Sequence, residues 1–189
     1  VILGEMGTGK DLAAEWLHRL SRRNMFPFRE VNCAETTDEL AATMLFGHDK
    51  GAFTDAKSAK PGTIELADGG TVFINEVGDL TPANQARLLN VIEKKRFYRL
   101  GEYKKQISVD VRYIAATNRD IPALIERNEF REDLYYRLRQ DSLSIPPLRE
   151  RREDIPLLAE HFVRKFAKAY GKVAPELREE VMEFLSGYD

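Results

Sequence analysis

The stretch Gly4-Glu5-Met6-Gly7-Thr8-Gly9-Lys10 decides the fold, because it matches G-x-x-x-x-G-K between a short apolar run and a helical pattern over 11–22. Glycines at these positions let backbone N–H groups converge on phosphate oxygens, and the N-terminus of the following helix adds its dipole. The ammonium group of Lys10 would reach the β- and γ-phosphates of a nucleotide, and Asp11 stands where a hydroxyl commonly holds Mg2+. The alternative interpretation is a glycine-rich turn that precedes a lysine by chance.

Outside this loop, short apolar runs alternate with helical patterns, which predicts an α/β fold with a mostly parallel sheet. The runs Val72–Ile74 and Tyr113–Ala116 are continuous, as is typical of strands covered on both faces. In one helix, Ala86, Leu89 and Ile92 recur at helical spacing and predict its buried face. The predicted strands are 1–3, 29–33, 71–75, 111–117 and 142–145, and the predicted helices are 11–22, 38–45, 83–95 and 121–126.

The composition excludes several classes of protein. The chain has 189 residues, a formal net charge of -2, 43% hydrophobic and 32% charged residues, which excludes a disordered chain and argues against nucleic-acid binding over the whole surface. A single cysteine, Cys33, permits no disulfide framework, and the three histidines form no zinc-ligand pattern. No apolar run approaches the roughly 20 residues of a membrane span, and no signal peptide pattern occurs. We therefore expect a cytoplasmic protein without membrane association.

The composition shifts at Ile145-Pro146-Pro147, after which the pattern is helical. Asp154 can cap a helix with Pro156 in its first turn, and Ala174–Tyr188 has a second amphipathic pattern. We predict an α/β domain over 1–146 and the start of a small helical domain over 147–189. Both ends look truncated, so we expect a fragment of a longer protein.

A predicted buried strand, Thr71–Asn75, ends in two polar residues, Asn75 and Glu76. In a phosphate-loop ATPase, an acidic residue at such a strand end holds Mg2+, and a second carboxylate beside it polarises the attacking water. Glu76 fits the second role, and Asn75 stands where the first acid is expected. An amide can orient a metal-bound water but neutralises no charge, so we predict weaker metal binding and slower turnover. The alternative is that both residues simply end a strand at the surface.

With these motifs in order, the sequence resembles the AAA+ ATPase domain of bacterial sigma-54-dependent transcription activators, the NtrC-like enhancer-binding proteins. The resemblance covers roughly residues 1–170, and the combination of a GAFT loop with PPLRER is specific to this group. It implies an AAA+ P-loop NTPase, with a five-stranded parallel sheet flanked by helices and a truncated helical lid. The stretches that carry it are GEMGTGKD at 4–11, VNCAE at 31–35, LFGHDKGAFTDA at 45–56, ADGGTVFINEVGDL at 67–80, AATNRD at 115–120, FREDLYYRL at 130–138 and PPLRERREDIPLL at 146–158.

The resemblance also implies roles for single residues. It assigns ATP binding to the loop 4–11, whose acid after the lysine is usual in the family. Glu76 is implied as the catalytic carboxylate, and Asn32 resembles the asparagine that holds this glutamate inactive until the ring engages its target. Asn118 resembles the sensor of the γ-phosphate. Arg131 and Arg137 resemble arginine fingers, which reach into a neighbouring subunit's site and stabilise developing charge there.

The segment Gly51-Ala52-Phe53-Thr54-Asp55-Ala56 resembles the GAFTGA loop that rises from the ring and touches sigma-54. From the residues alone, Phe53 is either the apolar anchor of an exposed contact loop or a loop residue folded back on the core. The implied partners are sigma-54 RNA polymerase and copies of the same chain in a ring, commonly a hexamer. The implied ligands are ATP, ADP and Mg2+. The family usually adds a receiver or sensory domain, as in two-component systems, and a DNA-binding helix-turn-helix, both outside these residues.

Two departures from the family pattern matter. Asp55 replaces a glycine, which restricts the backbone and adds charge at the proposed contact, and Asn75 replaces the usual Walker B aspartate. Three hypotheses follow: an ATP-driven remodeller that opens sigma-54 promoters, an ATP-binding regulatory switch with weak or no hydrolysis and impaired sigma-54 contact, and an AAA+ machine with another client. We favour the first, because Glu76, the sensor asparagine and both finger arginines are all present.

Three further residues are given structural roles or none. Cys33 ends an apolar strand and is expected to be a buried, unreactive thiol. Trp16 lies on the helix after the phosphate loop and is expected to pack on the sheet. His48 lies beside the GAFT loop and is given no chemistry.

Overall fold

The structure is a computed structural model that describes residues 1–34, 37–54 and 56–187. The described strands are β1 Ile2–Leu3, β2 Phe28–Asn32, β3 Gly47–His48, β4 Lys60–Pro61, β5 Thr71–Asn75, β6 Arg96–Phe97, β7 Ile107–Ser108, β8 Arg112–Thr117 and β9 Leu143–Ser144. The described helices are α1 Lys10–Arg19, α2 Asp38–Phe46, α3 Thr63–Leu66, α4 Pro82–Lys94, α5 Ile121–Glu126, α6 Glu132–Leu138, α7 Ile155–Ala169 and α8 Glu179–Gly187.

Five parallel strands form the central sheet in the order β2-β5-β8-β1-β9. In the register, Thr71 of β5 lies opposite Phe28 on one side and Arg112 on the other. All five residues of β5 are buried, as expected for a parallel strand with neighbours on both sides and helices on both faces. The predicted α/β fold with a five-stranded parallel sheet is confirmed, and each strand end lies within one residue of its predicted position.

The side chains of β5 alternate between two apolar layers. Val72 and Ile74 belong to the larger layer, where they meet residues of α2, α4 and α6 such as Leu45 and Leu88. Phe73 faces the other layer, which α1 covers through Ala14 together with residues of β1 and β8. Because of this period-two alternation, one short strand contributes side chains to both apolar layers.

Side-chain caps fix where three helices begin. Thr37, Thr81 and Asp120 each accept the N–H of the residue three positions on, at the starts of α2, α4 and α5. Helix α1 differs, because it follows Gly9 in a left-handed conformation, and among the described residues no side chain caps it. Its first backbone N–H groups therefore face outward from the carboxyl edge of the sheet, where they can donate to a ligand.

Two predictions about packing need correction. Trp16 is 50% exposed rather than packed on the sheet, and the Arg19 guanidinium lies 5.6 Å from its ring centroid. On α4, Leu89 and Ile92 pack partly buried against the larger apolar layer as predicted, whereas Ala86 is exposed and the fully buried positions include Gln85 and Leu88. The core takes a polar residue on this helix because its amide is fully hydrogen-bonded, as described below.

Three predictions about helices also need correction. Helix α6 was not predicted, and α8 begins at Glu179, five residues after its predicted start. Pro175 lacks a backbone N–H and favours an extended conformation for Ala174, which agrees with the irregular segment that precedes α8. Asp154 makes no side-chain cap to α7 and instead forms an ion pair with Arg151.

The chain divides into two compact units, 1–145 and 146–189. The first holds the sheet with α1 to α6, and the second holds α7 and α8, which contact each other. The division into a nucleotide-binding domain over 1–146 and a helical lid over 147–189 stays a prediction. No helix in the part of the chain that the structure describes combines the length and apolar character that crossing a bilayer requires.

Candidate active site

The residues that follow three of the parallel strands lie at one edge of the sheet. Gly4 follows β1, Glu76 follows β5 and Asn118 follows β8, and each strand ends at the same carboxyl edge. Open α/β sheets bind their ligands in the crevice outside this edge. The loop before α1 lies at the same edge, so the fold brings the phosphate-loop motif and the polar strand ends together.

The loop 4–9 wraps closely around the start of α1. Thr8 Oγ1 donates to the Glu5 carbonyl oxygen at 2.8 Å, and Gly7 and Gly9 have φ angles of 79° and 95°. These left-handed conformations favour glycine. A Cβ added at either glycine would meet no heavy atom within 4 Å, so the outer side of the loop is open. Open space beside outward backbone N–H groups and a helix N-terminus fits an anion such as a phosphate chain.

Lys10 supplies a buried cation to this loop. Its side chain is 6% exposed, and its Nζ donates to the carbonyl oxygens of Gly4 at 3.0 Å and Glu5 at 3.2 Å. The same Nζ lies 3.3 Å from Glu76 Oε1. A buried ammonium needs oxygen partners on several sides to offset its lost hydration, and these three oxygens provide them. The loop motif and the acidic strand end are thus joined by one ion pair.

Glu76 adopts a backbone conformation that is unusual for a side chain of its size. Its φ and ψ angles are both 52°, in the left-handed region. Its Oε1 pairs with Lys10, and its Oε2 accepts the Asn118 backbone N–H at 2.9 Å. Strained residues of this kind persist where surrounding contacts over-determine them, and they cluster at functional sites. The carboxylate is therefore held in a fixed position at the strand edge.

Asn75 joins Asp11 of α1 to the backbone of Glu76. Its Nδ2 donates to Asp11 Oδ1 at 3.0 Å, and its Oδ1 accepts the Glu76 N–H at 3.1 Å. Among the described residues, the second carboxylate oxygen of Asp11 accepts no hydrogen bond. These carboxylate and amide oxygens are ligands suited to a hard divalent cation such as Mg2+. Glu30 on β2, which the sequence analysis missed, lies close enough that burial first and then the Asp11 carboxylate raise its pKa.

Two family models match this chain. One described as the Sigma-54 interaction domain matches residues 1–144, and one described as the AAA+ ATPase lid domain matches residues 149–189. The chain belongs to the sigma-54 interaction domain family. The resemblance drawn from the sequence motifs is confirmed, and the domain is an AAA+ P-loop NTPase domain followed by a small helical region.

Curated relatives of this sigma-54 interaction domain are longer proteins. The Nif-specific regulatory protein of Herbaspirillum seropedicae is 51% identical over 166 residues, which are 88% of this chain and 30% of that protein. The transcriptional regulatory protein ZraR of Salmonella typhimurium is 47% identical over 189 residues, which are 100% of this chain and 43% of that protein. The chain spans less than half the length of these relatives.

Solved structures share this fold. The crystal structure of NtrX from Brucella abortus in complex with ATP superposes with a TM-score of 0.90 at 35% identity, covering 99% of this chain and 40% of that one. The complex of the same protein with ADP gives a TM-score of 0.89 at 35% identity, with equal coverage. Both support the fold of the whole chain.

In this sigma-54 interaction domain, Asn32 lies at the same edge but contacts a different group. It sits opposite Asn75 in the register of β2 and β5, and its Oδ1 accepts the Ala34 backbone N–H at 2.9 Å. Glu76 is held by Lys10 and Asn118 instead. The role assigned to Asn32 therefore stays a prediction.

The two predicted finger arginines lie just before α6 and in its last turn, and they differ in their surroundings. Arg131 precedes α6 and makes a bidentate pair with Asp133 at 2.6 and 3.0 Å, which raises the pKa of Arg131 and lowers that of Asp133. Arg137 is exposed in the last turn of α6. Within the described residues, neither side chain contacts Lys10 or Glu76, and Arg137 has no hydrogen-bond or ion-pair partner.

Gln85 positions the start of α6, and the sequence analysis missed it. It is fully buried on α4, where its Nε2 donates to the carbonyl oxygens of Leu80 at 2.6 Å and Glu129 at 2.9 Å. Its Oε1 accepts the Arg131 backbone N–H at 2.8 Å. A glutamine between apolar helix positions was the only sequence signal for this role, since its partners are distant in the chain.

The predicted sigma-54 contact loop is described except for Asp55, which lies outside the described residues. The Gly51 N–H donates to the Ala56 carbonyl oxygen at 2.9 Å and closes the loop. Phe53 is half-buried, and its ring meets the buried His48 ring edge-on, with centroids 4.9 Å apart. His48 in turn pairs through its backbone with Leu100 and the strand β4. Phe53 is thus partly folded onto the domain.

Proposed function

We propose that this chain is the ATPase unit of a sigma-54-dependent transcription activator, which oligomerises, hydrolyses ATP and remodels sigma-54 RNA polymerase to open promoters. The observation that carries the proposal is the joining of Lys10, Glu76 and the Asn118 N–H at the edge of the sheet. Phosphate binding needs the first group, and water activation needs the second. Membership of the sigma-54 interaction domain family supports sigma-54 as the protein on which this domain acts.

In the proposed reaction, the outward N–H groups of the loop and Lys10 bind the β- and γ-phosphates of ATP. Glu76 accepts a proton from the attacking water as the water oxygen bonds to the γ-phosphorus and the bond to the bridging oxygen breaks. This requires Lys10 to exchange its contact with Glu76 for contacts with phosphate. Asp11 and, through water, Asn75 would hold Mg2+, which supplies neutralisation of the phosphate charge. Asn118 senses the γ-phosphate from beside Glu76.

We further propose that the site is completed by a neighbouring copy of the chain in a ring, of which a hexamer is the expected form. Arg137 is exposed and unpaired among the described residues, so it can reach a neighbour without first breaking an ion pair. Arg131 would have to leave Asp133. The cytoplasm is the proposed location, with DNA bound by a helix-turn-helix elsewhere in the protein.

The proposal assigns sigma-54 contact to the loop 51–56, with Phe53 as its apolar anchor. Its exposed part offers contact area, while the Gly51–Ala56 hydrogen bond holds the loop in one shape. The alternative regulatory switch gains no support from the geometry, since the loop lysine, carboxylate and sensor position are all present.

The test is promoter opening by the full-length protein with sigma-54 RNA polymerase and ATP. We expect Phe53→Ala to keep ATP hydrolysis and to lose both sigma-54 binding and open-complex formation. Phe26→Ala, at a half-exposed phenylalanine outside the loop, is the matched control and should retain all three activities. Open complexes formed by Phe53→Ala at the normal rate would show that the loop assignment is wrong.

A further inference from the structure

Two neighbouring groups, one hydrogen-bond donor and one acceptor, fix the same orientation of the Asn75 amide. The Glu76 backbone N–H can only donate, so it faces Asn75 Oδ1 at 3.1 Å. The Asp11 carboxylate accepts, so it faces Asn75 Nδ2 at 3.0 Å. Asn75 is 9% exposed, and both of its polar atoms are used. The orientation of the amide therefore follows from hydrogen-bond chemistry and is not arbitrary.

An aspartate at position 75 would change this pair. It would place a second carboxylate within hydrogen-bond distance of Asp11, with no proton between the two oxygens. Like charges at that separation disfavour each other strongly, and the phosphates of a nucleotide in the loop would add further negative charge. A divalent cation would then be needed to neutralise the cluster. With asparagine, the pair carries one negative charge instead of two. A hydrogen bond from the Asn75 amide to the Asp11 carboxylate then takes the place of the repulsion between two carboxylates.

We propose that the Asn75–Asp11 pair makes nucleotide binding by this chain only weakly dependent on Mg2+, with Asp11 as the one carboxylate of the pair that faces the cation. The inference rests on the proposed function, since it presumes that the loop 4–9 binds a nucleotide. It concerns binding, and so it can be tested without turnover. The free carboxylate oxygen of Asp11 still offers the cation a ligand, so Mg2+ would bind but contribute less affinity.

The experiment measures the Kd of ADP by titration calorimetry, in excess Mg2+ and in EDTA, on the full-length protein. The quantity compared is the Kd of ADP in EDTA divided by its Kd in excess Mg2+. We expect this ratio to be about tenfold smaller for the unmodified protein than for Asn75→Asp, because one added charge beside the phosphates shifts such equilibria by tenfold or more. Asn90→Asp makes the same chemical change at an exposed position of α4 and should leave the ratio unchanged.

Two further variants separate charge from a lost hydrogen bond. The double variant Asp11→Asn with Asn75→Asp exchanges the two groups and restores a single charge, so its ratio should return to within about threefold of the unmodified protein. Asn75→Ala removes the hydrogen bond without adding charge, and its ratio should stay small. Thermal melting of each variant establishes that it folds.

Distinct results overturn distinct claims. An Asn75→Asp ratio equal to that of the unmodified protein would overturn the inference and leave the proposed function standing. An exchanged pair that behaves like Asn75→Asp, or an Asn75→Ala ratio that rises as far, would also overturn it. Failure of the unmodified protein to bind ADP or ATP in either condition would overturn both the inference and the proposed function.

Discussion

At the scale of single residues, Glu76 is the carboxylate on which the proposed hydrolysis depends. Its left-handed backbone costs on the order of 1–3 kcal/mol, a cost that surrounding contacts must offset. Lys10 and the Asn118 N–H hold its two carboxylate oxygens, so the strained backbone aims the side chain at the edge of the sheet. The strain therefore serves the placement of a carboxylate beside the loop lysine.

Glu76→Gln tests this role directly. The amide keeps the size of the side chain but cannot accept the proton of the attacking water, so we expect kcat for ATP hydrolysis to fall by about 10²–10⁴. The Kd of ATP should change by less than about fivefold, because phosphate binding belongs to the loop. Steady-state kinetics and calorimetry measure the two quantities. Glu126→Gln, exposed at the end of α5, is the control; a Glu76→Gln enzyme with normal kcat would contradict the assignment.

Cys33 gives a pH-dependent prediction at the same scale. Burial first, and then the Asp79 carboxylate, raise the pKa of its thiol to about 12. The unfolded thiol ionises near pH 8.5, so above that pH the unfolded state releases a proton that the folded state keeps. The free energy of unfolding should therefore fall with rising pH, by about 1.4 kcal/mol per unit from this group alone.

Cys33→Ala provides the comparison. Urea unfolding under reducing conditions at pH 9 and 10 should show a steeper loss of stability for the unmodified protein than for the variant. Equal slopes would mean that the thiol is not buried as described. The expectation from the sequence, a buried thiol at the end of a strand, is confirmed by its 3% exposure.

At the scale of elements, the sequence was most informative where a pattern is local. The strand β5 was predicted with both ends correct, because a short continuous apolar run between Gly70 and Glu76 is typical of a strand covered on both faces. Lys10, Glu76 and Asn118 were each assigned to a nucleotide site from the sequence, and in the structure they meet because parallel strands share a carboxyl edge. The bond from Gln85 to Arg131 and the contact of Phe53 with His48 were not predicted, because they depend on how elements pack and not on spacing.

Gln85→Leu tests the link between α4 and α6. The variant keeps the volume but leaves the Arg131 N–H and two carbonyl oxygens without their partner, so we expect a loss of about 2–4 kcal/mol in the free energy of unfolding. Amide hydrogen exchange should accelerate over 129–135. Gln140→Leu, at an exposed position after α6, should change stability by less than about 0.5 kcal/mol. An equally small change in Gln85→Leu would refute the positioning role.

At the scale of the whole molecule, neither Arg131 nor Arg137 contacts Lys10 or Glu76 among the described residues. Phosphoryl transfer in this class of fold gains about 10³–10⁵ in rate from such a cation. Arg131 lies just before α6 and Arg137 lies on it, and both are exposed to solvent. Under the proposed function, a second copy of the chain supplies the arginine, and such an assembly lies beyond any sequence pattern within one subunit.

Mixing two inactive variants tests this arrangement. Arg137→Ala keeps Glu76, and Glu76→Gln keeps Arg137. Each alone should bind ATP but lose hydrolysis, by about 10³–10⁵ for Arg137→Ala and by about 10²–10⁴ for Glu76→Gln. If the arginine acts on a neighbour, mixed assemblies contain some sites with both groups, and hydrolysis should reappear on mixing. Arg139→Ala, two residues away, should hydrolyse ATP normally. No recovery on mixing, with both parents bound in one assembly, would argue against action between subunits.

The central claim is that this chain is a motor that completes its sites by assembly despite the asparagine at position 75. The most direct measurement is Mg2+-dependent ATP hydrolysis per subunit against protein concentration, for the full-length protein and its Asn75→Asp variant. We predict that the rate per subunit of the unmodified protein rises steeply with concentration, and that the variant raises the maximum without creating activity. A protein that binds ATP but hydrolyses it only after Asn75→Asp would contradict the claim and identify a nucleotide-dependent switch.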